Sequence, residues 1–166
     1  MKAYCGIDPG KSGALAIIDE NGINLVYEVF PLIGKEIDIR GLSNLIMRLK
    51  EFDKIHVVLE NVHSVHGAGA KSNFSFGHTN GMIEGILVSY KIPYTKVQPK
   101  EWQKEMCYGI PVQIKNGKND TKLMSLLAAK RLFPEETFLA TDRSKVPHDG
   151  ITDAVLMAEF CRRRYK

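Results

Sequence analysis

Two short apolar runs constrain this chain more than anything else in it. "KAYCGID", residues 2–8, and "IHVVLE", residues 55–60, have the length of strands, and each ends on one acid, Asp8 or Glu60. A strand with one face in water alternates apolar and polar residues, whereas a continuous run such as "IHVVLE" is covered on both faces. It is therefore read as a central, buried strand.

The rest of the chain builds around these runs. After Pro9-Gly10 and Ser12-Gly13, "GALAII" reads as a hairpin partner of the first strand. Asn21-Gly22 is a strong hairpin-turn dipeptide, and "INLVYEVF" then reads as a third strand. Ile37, Ile39, Leu42, Leu45, Ile46, Leu49 and Phe52 recur at helical spacing, which predicts a helix ending near Phe52-Asp53. Past the "IHVVLE" strand come a glycine-rich loop, "HSVHGAGAKSN", a helix over part of 76–91, and a short strand, "PYTKV". "PKEWQKEM" reads as a helix with Pro99 in its first turn. "GIPVQIKNGKND" reads as a mobile polar loop, and "TKLMSLLAAKRLF" as a helix capped by Asn119, Asp120 or Thr121. "HDGITDAVLMAEFCRRR" is the last helix, with cations in its final turn where the helix dipole favours them. There is no internal repeat and no linker. The expectation is one α/β domain over residues 1–166, antiparallel at its start and parallel in its continuation.

Composition excludes several classes. With 44% apolar residues in 166, the chain has enough to bury a core. No apolar run is long enough to span a bilayer, and "MKAYCGIDPG" lacks the features of a secretory or organelle leader. A cytoplasmic protein with no membrane partner is expected. Cys5, Cys107 and Cys161 are far apart and form no C-x-x-C pair, so three buried thiols are expected rather than disulfides or a zinc site. His63 and His66 lack a Cys or third His nearby and are not read as zinc ligands. The net charge of +4 is gathered at "KVQPKEWQK", "IKNGKNDTK" and "RRRYK". Such clusters suit a polyanion such as nucleic acid, and they equally suit a solvated lysine-rich surface.

Four acids stand out by position. Asp8 and Glu60 end apolar strands, while Asp149 and Asp153, four apart at the start of the last helix, share one helix face. Brought together, four carboxylates repel. Divalent cations relieve that repulsion, and hard oxygen donors select magnesium or manganese. Taken singly, each acid also has a plain structural role: a turn cap, a solvated strand end, or first-turn acids at a helix N-terminus.

The ordered set "GIDPG", "VVLENVH" and "HDGITDAVLMAEF" resembles the RuvC-like Holliday junction resolvases, and most closely their phage and organelle-type "HDG" branch. "GAGAKSNFSFGHTNGMIEG" and "YTKVQPKEWQKEM" fall in matching order, so the resemblance runs from about Ala3 to Arg162. It implies a ribonuclease H-like fold, a five-stranded mixed sheet flanked by helices. It also implies a homodimer that nicks two strands of a four-way DNA junction symmetrically, in a bacterial or phage-infected cell. Asp8, Glu60, Asp149 and Asp153 match the catalytic, metal-holding acids. The implied chemistry is phosphodiester hydrolysis with two magnesium ions per site, manganese substituting. The bacterial host enzymes space their last two acids three apart rather than four, and the "HDG" branch often has Glu at the position of Asp153. His148 matches the motif and is either a contact to the reacting water or phosphate or a residue preceding the helix cap. Gly10 and Gly13 are expected to keep the turn small so that a DNA backbone approaches Asp8.

Lys100, Lys104 and Lys122 are then candidates for phosphate contacts near the scissile bond, with Lys122 assisting the reaction. Lys115 and Lys118 are candidates for following a DNA arm. Trp102 is read as core. Phe74 and Phe76 in "NFSFGH" are candidate wedges that stack on unpaired bases, both on one side if the segment is extended; the alternative is that they anchor the loop. The rival functions are a junction-binding protein without nuclease activity and a ribonuclease H-like nuclease for flaps, forks or hybrids. An actin-like or sugar-kinase ATPase would need two lobes, more than 166 residues supply.

Overall fold

The computed structural model describes residues 1–10, 12–61 and 69–166. Its centre is a five-stranded sheet made of β1 (Lys2–Asp8), β2 (Ala14–Asp19), β3 (Leu25–Val29), β4 (Lys54–Glu60) and β5 (Tyr94–Val97), in the order β3-β2-β1-β4-β5. β1–β2 and β2–β3 pair antiparallel; β1–β4 and β4–β5 pair parallel. The mixed sheet expected from the strand order is the one observed. Gly22, with φ of +77°, closes the β2–β3 hairpin, and Asp19 accepts from the amides of Asn21 and Ile23.

Strand parity explains the continuous apolar runs. Ala3, Cys5, Ile7, Val57 and Leu59 face one core with Leu42, Leu45 and Ile46 of α1 (Ile39–Met47) and Ile83 and Leu87 of α2 (Ala70–Ser89). Tyr4 and Val58 face the other core. That side is filled by α3 (Pro99–Met106), α4 (Thr121–Leu132) and above all α5 (Asp149–Tyr165), which is buried from Gly150 to Cys161 except at the half-buried Asp153. Both faces of β1 and β4 are thus covered, which is why neither run alternates.

α5 lies directly on β1. A Cβ on Gly6 would stand 2.2 Å from the carbonyl oxygen of Ala154 and 2.4 Å from the amide nitrogen of Ala158. Only glycine lets the helix backbone come this close to the strand.

Four local expectations are corrected. α2 begins at Ala70, well before residue 76, so "NFSFGH" is helical rather than an extended loop. On a helix, residues two apart point to opposite sides; Phe74 is exposed while Phe76 is half-buried. Second, α1 starts only after Asp38, whose side chain accepts from the Arg40 amide and caps the helix. Ile37 instead pairs with Leu32 in a two-residue ladder, and Arg48–Glu51 form a 3₁₀ turn. Third, the "KNG" segment is a small hairpin pairing Ile114–Lys115 with Lys118–Asn119. Asn116 (φ 52°) and Gly117 (φ 72°) both take positive φ, as a tight hairpin turn demands. Fourth, Cys107 is only half-buried, although Cys5 and Cys161 are fully enclosed and burial pushes the Cys161 thiol up to about 12. The helix caps agree better: Pro99 opens α3, and Asp120 caps α4 by accepting from the Leu123 amide. His63, His66 and most of "HSVHGAG" lie outside the described residues. Among the described residues no helix is long and apolar enough to cross a membrane.

The Gly6 contact makes a direct prediction. Gly6→Ala should destabilise the fold by about 2–3 kcal/mol, because backbone atoms rather than a flexible side chain stand in the way. In a thermal melt that amounts to a fall in Tm of about 5–10 °C. A melt within a degree of the parent protein would contradict this close approach.

Candidate active site

The parallel register places Asp8 and Glu60 next to each other. Ile7 pairs with Leu59 in the last rung, and each acid follows by one residue. Both share parity with Gly6 and Val58, so both side chains leave the sheet toward α5. The turn after Asp8 is held by the Gly13 amide on the Gly10 carbonyl (2.9 Å), and the Gly10 amide donates to Asp8 Oδ1 (3.2 Å).

The N-terminus of α5 closes in from above. Gly150 makes this approach possible: a Cβ there would lie 2.3 Å from the Ser12 carbonyl oxygen and 3.1 Å from Asp8 Oδ2. Gly13 is needed by the turn itself, since its Cβ would meet the Asp8 carbonyl at 2.2 Å and Phe30 at 2.6 Å. Of the two turn glycines expected to admit a ligand, only Gly10 has free space over the carboxylate, its Cβ position being 3.6 Å from Asp8 Oδ1.

The acids feel one another. Burial, then the charges of Asp153 and Glu60, push the Asp8 carboxyl up to about 8. Burial also pushes Asp153 up to about 7, reinforced by Glu60 and Asp149 and opposed by a hydrogen bond from Ser125 and the charge of Lys122. Burial raises Glu60 as well, partly offset by Trp102. Asp153 Oδ1 is buried without a hydrogen-bond partner. Asp149 is more exposed, and Lys122 Nζ donates to its Oδ2 at 2.5 Å. His148 precedes α5; its carbonyl accepts from the amides of Ile151 and Thr152, and its buried Nδ1 has no partner.

The donor set suits a hard divalent cation: oxygen ligands only, one of them orphaned, with Lys122 paired to one of the acids. Among the described residues no three His, Cys, Asp or Glu side chains already form a closed cage. Mutual repulsion and the pull of Lys122 on Asp149 both act against such closure.

Asp8, Glu60, Asp149, Asp153, Lys122 and His148 are thus brought to one place. Lys100 and Lys104 lie on α3 beside it and share a cavity wall with Ser125. Lys115 and Lys118 are cross-strand partners at the exposed hairpin tip. Phe74 and Phe76 belong to α2, which packs on the opposite face of the sheet. Three site residues escaped the sequence reading. Trp102 is fully buried, as expected of a core residue, yet its Nε1 donates to Glu60 Oε1 at 2.9 Å. Its signal was available, because a buried indole N–H needs an acceptor. Ser125 and Gly150 carried no comparable signal.

No family model matches the chain, and no curated protein matches its sequence. Its fold does have counterparts among solved structures. A T. thermophilus RuvC in complex with Holliday junction substrate superposes with a TM-score of 0.62, at 16% identity over 98% of this chain and 96% of that one. A second T. thermophilus RuvC structure gives a TM-score of 0.57 with the same identity and coverage. The chain therefore has the α/β, ribonuclease H-like fold of the RuvC Holliday junction resolvases, with a five-stranded mixed sheet flanked by helices.

Proposed function

We propose that residues 1–166 form a single nuclease domain that resolves four-way DNA junctions by paired symmetric nicks. The observation that carries this reading is the convergence of Asp8 and Glu60, at the ends of two parallel strands, with Asp153 of α5, and with Asp149 and Lys122 at their edge. Its substrate class is supported by the fold shared with a RuvC seen on Holliday junction substrate.

Asp8, Glu60, Asp149 and Asp153 would hold the metal. Two magnesium or manganese ions bound there supply activation of the attacking water and charge neutralisation at the leaving 3′ oxygen. The protein's own residues prepare that site. Trp102 fixes one oxygen of Glu60 by donating to it. Ser125 orients Asp153 so that Oδ1 stays unoccupied. Gly10 and Gly150 keep side chains off the Asp8 carboxylate. Lys122 must exchange Asp149 for a phosphate oxygen when DNA arrives, a short move for an exposed ammonium. His148 Nδ1, buried and unpartnered, is a second candidate for the reacting water or phosphate. Lys100, Lys104, Lys115 and Lys118 supply the salt-sensitive backbone contacts, with Phe74 the more accessible of the two candidate wedges.

A homodimer is part of the proposal, and α2 supports it. Gly77, Gly81 and Gly85 recur every fourth residue on one exposed face, where a Cβ would meet nothing within 4 Å. Each exposed helical glycine costs about 1 kcal/mol relative to alanine, with no return inside the monomer. A second helix crossing there would use the space. The protein is proposed to work in the cytoplasm of a bacterium or of a phage-infected host.

The decisive experiment is a nicking assay on a fixed four-way junction with both arms labelled and magnesium present. Paired nicks are expected. Asp8→Asn, Glu60→Gln and Asp153→Asn should each lower the rate about a hundredfold or more while junction binding persists. Binding without nicking by the parent protein would leave a junction-binding protein instead. Faster cutting of flaps or forks would reassign the substrate.

The raised carboxyls give a second prediction. The folded state binds protons on Asp8 and Asp153 more tightly than the unfolded chain, where Asp titrates near 3.8. Their contribution to stability is therefore complete below about pH 4. It is lost as pH rises through about 7 and 8. In EDTA, Tm should fall from pH 5 to pH 9, and Asp8→Asn should flatten that fall. Magnesium should raise Tm more at pH 8 than at pH 5, since the ligands are ionised carboxylates. An equal magnesium effect at both pH values would contradict this assignment of ligands.

A further inference from the structure

Between α3 and α4, beside the acids, lies a cavity of about 310 Å³. Its walls include Lys100, Gln103 and Lys104 of α3, Cys107 just after it, and Met124 and Ser125 of α4. Ser125 also bonds Asp153, and Cys107 is near enough to Asp153 to feel its charge, so the cavity is one side chain from the proposed metal ligands. The interior is mostly apolar, with two sulfur atoms. Lys100 and Lys104 are exposed at the rim, and among the described residues neither is in an ion pair. The half-buried amide of Gln103 likewise makes no side-chain hydrogen bond among the described residues.

We propose that this cavity is a nucleobase pocket: it takes one unstacked base next to the scissile phosphate of the strand being cut, and so sets where the cut falls. The proposal rests on the nuclease reading above. Its size is at the lower end of the range for small-molecule pockets, roughly 300–1,000 Å³, which suits one heterocycle rather than two. Sulfur packs well against aromatic ring faces and edges, and Met124 and Cys107 supply it. Lysines at the rim meet the phosphates on either side of the base, contacts that position a strand without reading it. The Gln103 amide, a paired donor and acceptor, reads a base edge. Unstacking is cheapest where pairing is already broken, as at a junction centre.

The test uses a set of four-way junctions differing only at the nucleotide on one side of the scissile phosphate, then on the other. Each position carries the four bases or an abasic site. On one side, the parent protein should show rates differing about tenfold or more between best and worst base, and Met124→Trp, which fills the cavity, should compress that spread to about twofold. The deficit of Met124→Trp on the preferred base should shrink when that position is abasic. Gln103→Leu should change the order of preference. 2-Aminopurine at the same position should brighten when the parent protein binds in EDTA. Should Met124→Trp fail to fold, Gln103→Leu and the 2-aminopurine signal decide the matter. Nicking that ignores base identity with no 2-aminopurine change, or a spread that survives Met124→Trp, would overturn the pocket while leaving the nuclease intact. Absence of nicking on every junction would instead overturn the nuclease reading.

Discussion

The approach of α5 to β1 at Gly6 is the contact on which the site depends. Two acids come from strand ends and two from a helix, so the site exists only if helix and strand are held at one fixed distance. With any side chain at Gly6, α5 would have to lift away from the Ala154 carbonyl, and its first turn would lift with it. Gly150 repeats the device at the helix N-terminus, against the Ser12 carbonyl and the Asp8 carboxylate. The two glycines set the depth at which Asp153 meets Asp8, and a close-packed interior passes any shift of one to the other.

That geometry creates a charge problem that the protein solves only in part. Asp19 and Glu159 show the complete solution: amides and an Asn side chain hold Asp19 below its ordinary range, and Arg162 and Arg163 do the same for Glu159. Asp8 and Asp153 are treated differently. Among the described residues the Gly10 amide bonds Asp8, and Ser125 with the charge of Lys122 opposes the rise of Asp153, yet each acid stays well above the usual carboxylate range. Among the described residues no guanidinium pairs with these acids as Arg162 and Arg163 pair with Glu159. Perturbed acids gathered at strand ends are a mark of functional sites rather than of cores.

Much of this was legible in the sequence because backbone rules are local. The strands "KAYCGID" and "IHVVLE", the Asn21-Gly22 turn, Pro99 at the start of α3 and the Asp120 cap each follow from a few neighbouring residues. The four acids were legible for the same reason, two by ending apolar runs and two by helical spacing. The failures came where local signals compete. "AKSNFSFGHTNG" is rich in glycine, serine and asparagine, poor helix formers, yet α2 runs through it because Thr79, Ile83 and Leu87 are buried at its inner face. The stretch around "KNG" reads as a mobile polar loop, although Asn-Gly is itself a hairpin signal. The roles of Trp102, Ser125 and Gly150 depend on partners 42, 28 and 142 residues away in sequence; the indole N–H of Trp102 alone signals that it needs an acceptor, and nothing local names that acceptor.

The two faces of the sheet divide the labour. The α5 side carries every acid of the site, the neighbouring lysines of α3 and α4, and the cavity between them. The α2 side carries none of these; its outward surface has Phe74 at one end, Val88 at the other and three glycines between, on a single helix face. On the proposed reading, chemistry falls to the α5 side of the sheet and assembly to the α2 side. In the proposed dimer the two sites would face away from the contact, held apart by the sheet that packs against α2 on one face and α5 on the other. Two separate sites are what paired, symmetric cutting of a four-way junction requires.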